Sequence, residues 1–206
     1  NGLANRMLVV APLSTLNFTW GKEIFGTTPH LTSVVLHGSK AKRLAMLEEK
    51  HDIYIINHDG LKVIEAELKK RTDINVMCLD ELAVYRNGGS VRTKIVRGIA
   101  KQFVWVWGMT GSPTPNEPTD AWAQCTIITP HTVPKYFSRF REDVMQRITQ
   151  FKWSPKLDAV NKAFAAMQPS VRYTLDDIVE LPELVERTME IDMGAKQAHV
   201  YKEMKA

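Results

Sequence analysis

The stretch VMCLDE, residues 76–81, decides how this sequence folds. Val76, Met77, Cys78 and Leu79 form an unbroken apolar run, and the run stops at two adjacent carboxylates, Asp80 and Glu81. Alternating apolar and polar side chains would mark a strand with one wet face. An unbroken run marks a strand covered on both faces, as in a parallel sheet between layers of helices. Four further runs have the same character: MLVVA at 7–11, SVVL at 33–36, IYII at 53–56 and VWVW at 104–107. Between them lie stretches with helical spacing of apolar residues: 41–50 with Leu44, Met46 and Leu47, 61–70 with Leu61, Ile64 and Leu68, and 92–101. This alternation over the first 110 residues predicts a doubly wound α/β sheet.

After Thr110 the pattern changes. Pro113, Pro115 and Pro118 make a rigid, loop-like stretch, and Pro130 and Pro134 break the chain again. Residues 135–180 read as mostly helical and carry Tyr136, Phe137, Phe140, Phe151, Trp153 and Phe164. The alternating ERTMEID at 186–192 predicts a strand, and 195–205 predicts a helix. The expected organisation is a sheet domain over 1–130, a helical appendage over 131–185, and a strand and helix over 186–206.

The bulk composition sets limits on function. A chain of 206 residues is long enough for one full domain with a buried core, or for one domain plus an appendage. No apolar run approaches the roughly 20 residues that span a bilayer, and no apolar segment follows a basic start as in a signal peptide. Two cysteines, Cys78 and Cys125, lie in apolar surroundings and read as buried free thiols, which fits a cytoplasmic setting. The net charge of +4 leans toward a polyanionic partner. The sequence starts at Asn1 and enters an apolar strand within six residues, so it is expected to be a piece of a longer protein.

Three segments carry chemistry. Ligands in open α/β sheets bind beyond the carboxyl ends of the strands, where Asp80 and Glu81 fall. Two carboxylates there can divide the work, one holding Mg²⁺ and the other orienting or deprotonating a water. In WGMTGSPTPN, residues 107–116, another apolar strand ends in Thr110, Gly111 and Ser112, small residues that let backbone approach a ligand or a neighbouring loop. In LVVAPLSTLNFTW, residues 8–20, Ser14 and Thr15 fall at the expected start of a helix, where hydroxyls and free N–H groups bind phosphate. Taken singly, each segment also fits an ordinary strand end, turn or helix cap.

In order, these segments resemble the SNF2-like branch of superfamily 2 helicases. The resemblance runs nearly end to end: VVAPLSTLNFTWGKE ending at Trp20 and Glu23, His37-Gly38-Ser39, IYIINHDGL at 53–61, LDELAVYRN at 79–87, MTGSPTPNEPTDAWAQ at 109–124, VRYTLDDIVELPE at 171–183, then Gln197 and Tyr201. The form TPNEPTDAWAQ is closer to phage and bacterial members. The resemblance implies a first RecA-like lobe of P-loop NTPase type, a parallel sheet flanked by helices with a helical C-terminal appendage, carrying motifs Ia, Ib, II and III of an ATP-dependent DNA translocase or helicase.

By the same resemblance Asp80 organises Mg²⁺ at the phosphates of ATP and Glu81 positions the hydrolytic water. Thr110, Gly111 and Ser112 belong to the element that couples hydrolysis to lobe movement. Ser14, Thr15, Asn57 and His58 face the backbone of double-stranded DNA, and such contacts are sequence-independent. Arg86, Arg92, Lys94 and Arg97 either extend that surface or form a solvated helix face. The implied partners are DNA and a second RecA-like lobe of the same parent chain, with no membrane, in the cytoplasm of a bacterial or phage-infected cell. Two departures stand out. Ala83 occupies a motif II position where many relatives carry a polar residue that bonds to motif III. No G-x-x-x-x-G-K-[ST] occurs, so the loop that cradles phosphate is missing, and an unfilled central position in the sheet is expected. Two alternatives remain: a non-catalytic nucleic-acid-binding fragment, and a metal-dependent phosphoesterase or nuclease. The histidines show no HxH or HExxH spacing that would favour the last.

Overall fold

A computed structural model describes residues 4–173, 177, 187–189 and 191–205. Contacts divide the chain into Asn1–Pro169 and Ser170–Ala206. The first unit holds a five-stranded parallel sheet: β1 (Met7–Ala11), β2 (Ser33–Val35), β3 (Ile53–Asn57), β4 (Val76–Leu79) and β5 (Trp105–Gly108), in the order β2-β3-β1-β4-β5. Helices α1 (Lys22–Thr27), α2 (Lys40–Glu48), α3 (Leu61–Leu68) and α4 (Val91–Ala100) connect successive strands.

Side chains alternate across the pleat and build two cores. Leu8, Val10, Tyr54, Ile56, Met77 and Leu79 face one way and pack under Leu47 of α2, Leu61, Ile64 and Leu68 of α3, and Val96 and Ile99 of α4. Val9, Ala11, Ile55 and Cys78 face the other way, against Leu16, Trp20 and Ile24. Handedness explains the division. The connections through α2, α3 and α4 step along the sheet in one direction, and the one through α1 steps back. Right-handed crossovers therefore place α1 alone on the second face.

The sheet corrects one expectation. Its five strands pair contiguously, so no central position stands empty; the free edges are those of β2 and β5. Trp107 neighbours Cys78, placing Trp105, Trp107 and Met109 on the face that α1 covers only farther along. They are 45%, 53% and 44% exposed, unusual for a parallel strand.

Beyond the sheet, α5 (Asp120–Ile128), α6 (Phe137–Val144) and α7 (Ala159–Ala166) share a third core of Trp122, Cys125, Phe140, Val144 and Ala163. Residues 135–180 were expected to be mostly helical. An antiparallel hairpin of β6 (Met145–Arg147) and β7 (Trp153–Pro155) interrupts them, because Ile148 and Thr149 donate backbone bonds to the Lys152 carbonyl and close a turn. In the second unit α8 (Ala195–Lys205) forms where a helix is expected and carries Gln197 and Tyr201. The strand expected at 186–192 falls partly outside the described residues; the described ones, 187–189 and 191–192, carry none. Most of VRYTLDDIVELPE also lies outside them.

Candidate active site at the carboxyl ends of the strands

Asp80 leaves β4 one residue past its end, with its amide still donating to the Val10 carbonyl of β1 at 2.8 Å. Its carboxylate is held at both oxygens: Oδ1 accepts from the Glu81 amide at 2.9 Å, and Oδ2 from the indole Nε1–H of Trp20 at 2.9 Å. Both donors are neutral, so the charge of Asp80 remains available to a cation. Each carboxylate oxygen has two lone pairs and keeps one after these bonds. Among the described residues no group of three His, Cys, Asp or Glu gathers to hold a metal. A single carboxylate fits Mg²⁺, which keeps several waters and takes substrate phosphate as ligand.

Glu81 adopts a left-handed backbone, φ 53°, and is the one non-glycine residue with positive φ among the described residues. Such a conformation costs a side chain roughly 1–3 kcal/mol and concentrates at functional sites. The turn sends the chain into a short 3-10 helix, Leu82–Tyr85, and leaves the Glu81 side chain exposed. There Glu81 Oε1 accepts from Thr110 Oγ1 at 3.0 Å. The Leu82 amide donates to the Met109 carbonyl at 2.8 Å, so the two loops are also joined through backbone. Ala83 is buried and its side chain makes no polar link; the bond between these two segments is made two residues earlier, by Glu81. Gly111 and Ser112 are exposed beside Thr110. Gln124 of α5 donates from Nε2 to the Pro113 carbonyl and ties the loop down.

The four residues expected at the nucleic-acid backbone are placed differently. Ser14 is exposed, whereas Thr15 turns its hydroxyl back onto the Pro12 carbonyl at 3.0 Å. Asn57 accepts from Arg43 Nη1 at 3.1 Å, and Arg43 also donates to the Leu36 and Gly38 carbonyls, so Asn57 belongs to a joint between β3 and the start of α2. His58 is buried, 8% exposed, with Nδ1 2.7 Å from the Tyr85 hydroxyl. Burial pushes its pKa down to about 4, Arg92 adds to the shift, and Asp80 and Asp59 oppose it. The imidazole is therefore neutral at pH 7.

His58 forms the wall of a cleft of about 730 Å³ shared with Asp59, Lys62, Arg86, Asn87, Ser90 and Arg92. Three cations against one carboxylate make it a basic surface. Arg92 is bonded to Asp59 at 2.7 Å, while Lys62 and Arg86 are exposed. Arg97 lies elsewhere, over the Trp122 ring with its guanidinium carbon 5.3 Å from the ring centre. Lys94 is exposed. Sequence reasoning missed Lys62, because it stands alone in an ordinary helical pattern, and gave no role to Tyr85 or Trp20.

Known proteins resemble this chain in sequence and fold. The family described as SNF2-related domain matches residues 1–206. The ISWI chromatin-remodeling complex ATPase ISW1 of Saccharomyces cerevisiae is 27% identical over 128 residues, 60% of this chain and 11% of the yeast protein. Putative protein p41 of Acyrthosiphon pisum secondary endosymbiont phage 1 is 30% identical over 130 residues, 59% of this chain and 28% of p41. The Sulfolobus solfataricus SWI2/SNF2 ATPase core, solved in complex with dsDNA, is 23% identical with a TM-score of 0.52 and shares the fold over 67% of this chain and 28% of that one. The matched region is thus a small part of each relative. With the family matching residues 1–206 and the RecA-like sheet in place, this chain belongs to the SNF2-related domain family.

Proposed function

We propose that this chain is part of an ATP-dependent DNA translocase or helicase, the portion carrying motifs Ia, Ib, II and III of its first lobe. The observation that carries this reading is the meeting of Asp80, Glu81 and Thr110 at the carboxyl end of the sheet, with Glu81 bonded to Thr110. In the parent protein Asp80 would hold Mg²⁺, which would neutralise charge on the phosphates of ATP. Glu81 orients and deprotonates the attacking water. Thr110 senses the state of Glu81 through their bond and passes it, with Gly111 and Ser112, to a second RecA-like lobe.

The handedness of the sheet allows the phosphate loop a place at the edge beyond β5 instead of the central one expected. A strand added beyond β5 and leading into β1 would step in the same direction as the α1 connection. Its crossover helix would then lie over Trp105 and Trp107. Such a unit would cover the exposed face and bring its loop beside Asp80.

The DNA partner is double-stranded and bound through its phosphates at the basic cleft of Lys62, Arg86 and Arg92, which Asn87 also lines. Buried free Cys78 and Cys125 support a cytoplasmic setting, in a bacterial or phage-infected cell. Among the described residues no helix is long and apolar enough to cross a membrane.

ATP hydrolysis by the parent protein and by this chain, each with and without duplex DNA, tests the reading. The parent should turn over ATP faster with DNA, and this chain should not. A parent without DNA-stimulated turnover overturns the motor reading and leaves the non-catalytic nucleic-acid-binding fragment. Metal-dependent cleavage of DNA without ATP would favour a nuclease.

A further inference from the structure

We propose that Trp20 is a positioning residue for Asp80, presetting its carboxylate for a divalent cation. This rests on the reading of Asp80 as the magnesium-holding residue. Trp20 lies 60 residues from Asp80 in sequence and on another element, yet its indole N–H meets Oδ2 at 2.9 Å.

Three features single out this contact. The first is the donor's chemistry. An indole N–H donates and cannot accept, and it carries no charge. A lysine or arginine in its place would neutralise Asp80 and compete with a cation. Trp20 fixes the carboxylate and leaves its charge intact.

The second is how Trp20 reaches the site. Residues Leu16–Gly21 form a π-helix, in which the Lys22 amide bonds back to the Asn17 carbonyl. A π-turn holds one residue more than an α-turn and is found frequently at functional sites. Leu16 and Ile24 are buried against β1, β3 and β4 on either side, with Trp20 packed on the same core. The wide turn between two anchors carries the indole to the strand ends, where a side chain of this length can touch Asp80.

The third is the division of labour at the carboxylate. Oδ1 is held by the Glu81 amide and Oδ2 by Trp20, so both oxygens are oriented before any cation arrives. Preorientation of this kind lowers the ordering cost of binding. Removing one donor should weaken cation binding without touching the fold.

Mn²⁺ is the probe, with the indole ¹H–¹⁵N signals of the chain's five tryptophans as the readout. The Trp20 signal is assigned by its loss in Trp20→Phe, which keeps an apolar ring and removes the donor. In the wild-type chain Mn²⁺ should broaden the Trp20 signal first, and in Asp80→Asn it should not. Trp20→Phe should raise the Mn²⁺ concentration for half-saturation, followed by electron paramagnetic resonance, about five-fold, with the melting temperature unchanged. Unchanged Mn²⁺ affinity in Trp20→Phe overturns the proposal, as does a wild-type Trp20 signal indifferent to Mn²⁺. A fall in melting temperature together with unchanged affinity would assign Trp20 to packing alone. None of these measurements needs ATP turnover, so failure of the motor reading would show separately, in the ATPase assay.

Discussion

Thr110 donates its hydroxyl proton to Glu81 at 3.0 Å, joining two strand ends 29 residues apart through a single side-chain bond. Both residues stand at the edge of solvent, so the bond adds little to stability; a net worth of about 1 kcal/mol is typical. Thr110→Val should therefore leave the melting temperature within two or so degrees. It should lower DNA-stimulated ATP turnover in the parent by on the order of ten-fold. Thr110→Ser, which keeps the hydroxyl, should retain most of it. Steady-state kcat and KM for the pair decide this, and equal turnover in Val and Ser variants would separate Thr110 from the chemistry.

Glu81 sits in left-handed backbone that favours Gly or Asn. Glu81→Asn should leave the chain as stable as before or more stable by up to about 1 kcal/mol. The same change should abolish ATP turnover in the parent. Urea denaturation of this chain and an ATPase assay of the parent measure the two effects. A clear loss of stability would mean that the turn is held by the Glu81 side chain rather than strained by it.

His58 gives the chain an acid-sensitive stability. Burial holds its pKa down at about 4, against about 6.5 for an exposed imidazole. Between those values the unfolded chain binds more protons than the folded one, so stability rises with pH. The contribution is complete above about pH 6.5 and is lost as pH falls through 4, an amount on the order of 3 kcal/mol. His58→Gln, whose amide can still meet the Tyr85 hydroxyl, should flatten the pH dependence of the urea midpoint across that window. An unchanged slope would place the sensitivity in other groups.

Gly88 marks a close approach. A methyl group there would lie 2.7 Å from the Trp122 ring and 3.2 Å from Arg97 Nη2. Because Trp122 belongs to the core shared by α5, α6 and α7, Gly88→Ala should cost about 1–3 kcal/mol by overpacking. Thermal denaturation would show it, and an unshifted melting temperature would mean that the 86–90 loop moves freely away from α5.

Lys62 and Arg86 line the basic cleft without, among the described residues, the carboxylate partner that Arg92 has in Asp59. If they meet DNA phosphates, replacing either with Ala should weaken duplex binding equally for all sequences. It should also reduce the slope of log affinity against log salt by about 1. Arg97→Ala should leave that slope unchanged, since its guanidinium lies over Trp122. Fluorescence anisotropy at several salt concentrations distinguishes the two behaviours.

What the sequence determined by itself is the periodic and local part. Unbroken apolar runs ending at Ala11, Ile56 and Leu79, alternating with helical stretches, specify buried parallel strands, because helices on both sides of the sheet cover both faces of each run. The adjacency of Asp80 and Glu81 to a strand end was equally plain, since it depends on chain order alone. The tertiary structure decided everything that depends on which ends meet. Strand order closed the centre of the sheet and left only its edges free, and at the β5 edge handedness left Trp105 and Trp107 exposed. Folding turned His58 and Asn57 inward toward Tyr85 and Arg43, although in the sequence they read as surface contacts. It also brought Trp20 to Asp80 and Thr110 to Glu81. These are bonds between distant segments, set by register and packing, and no periodicity in the chain announces them.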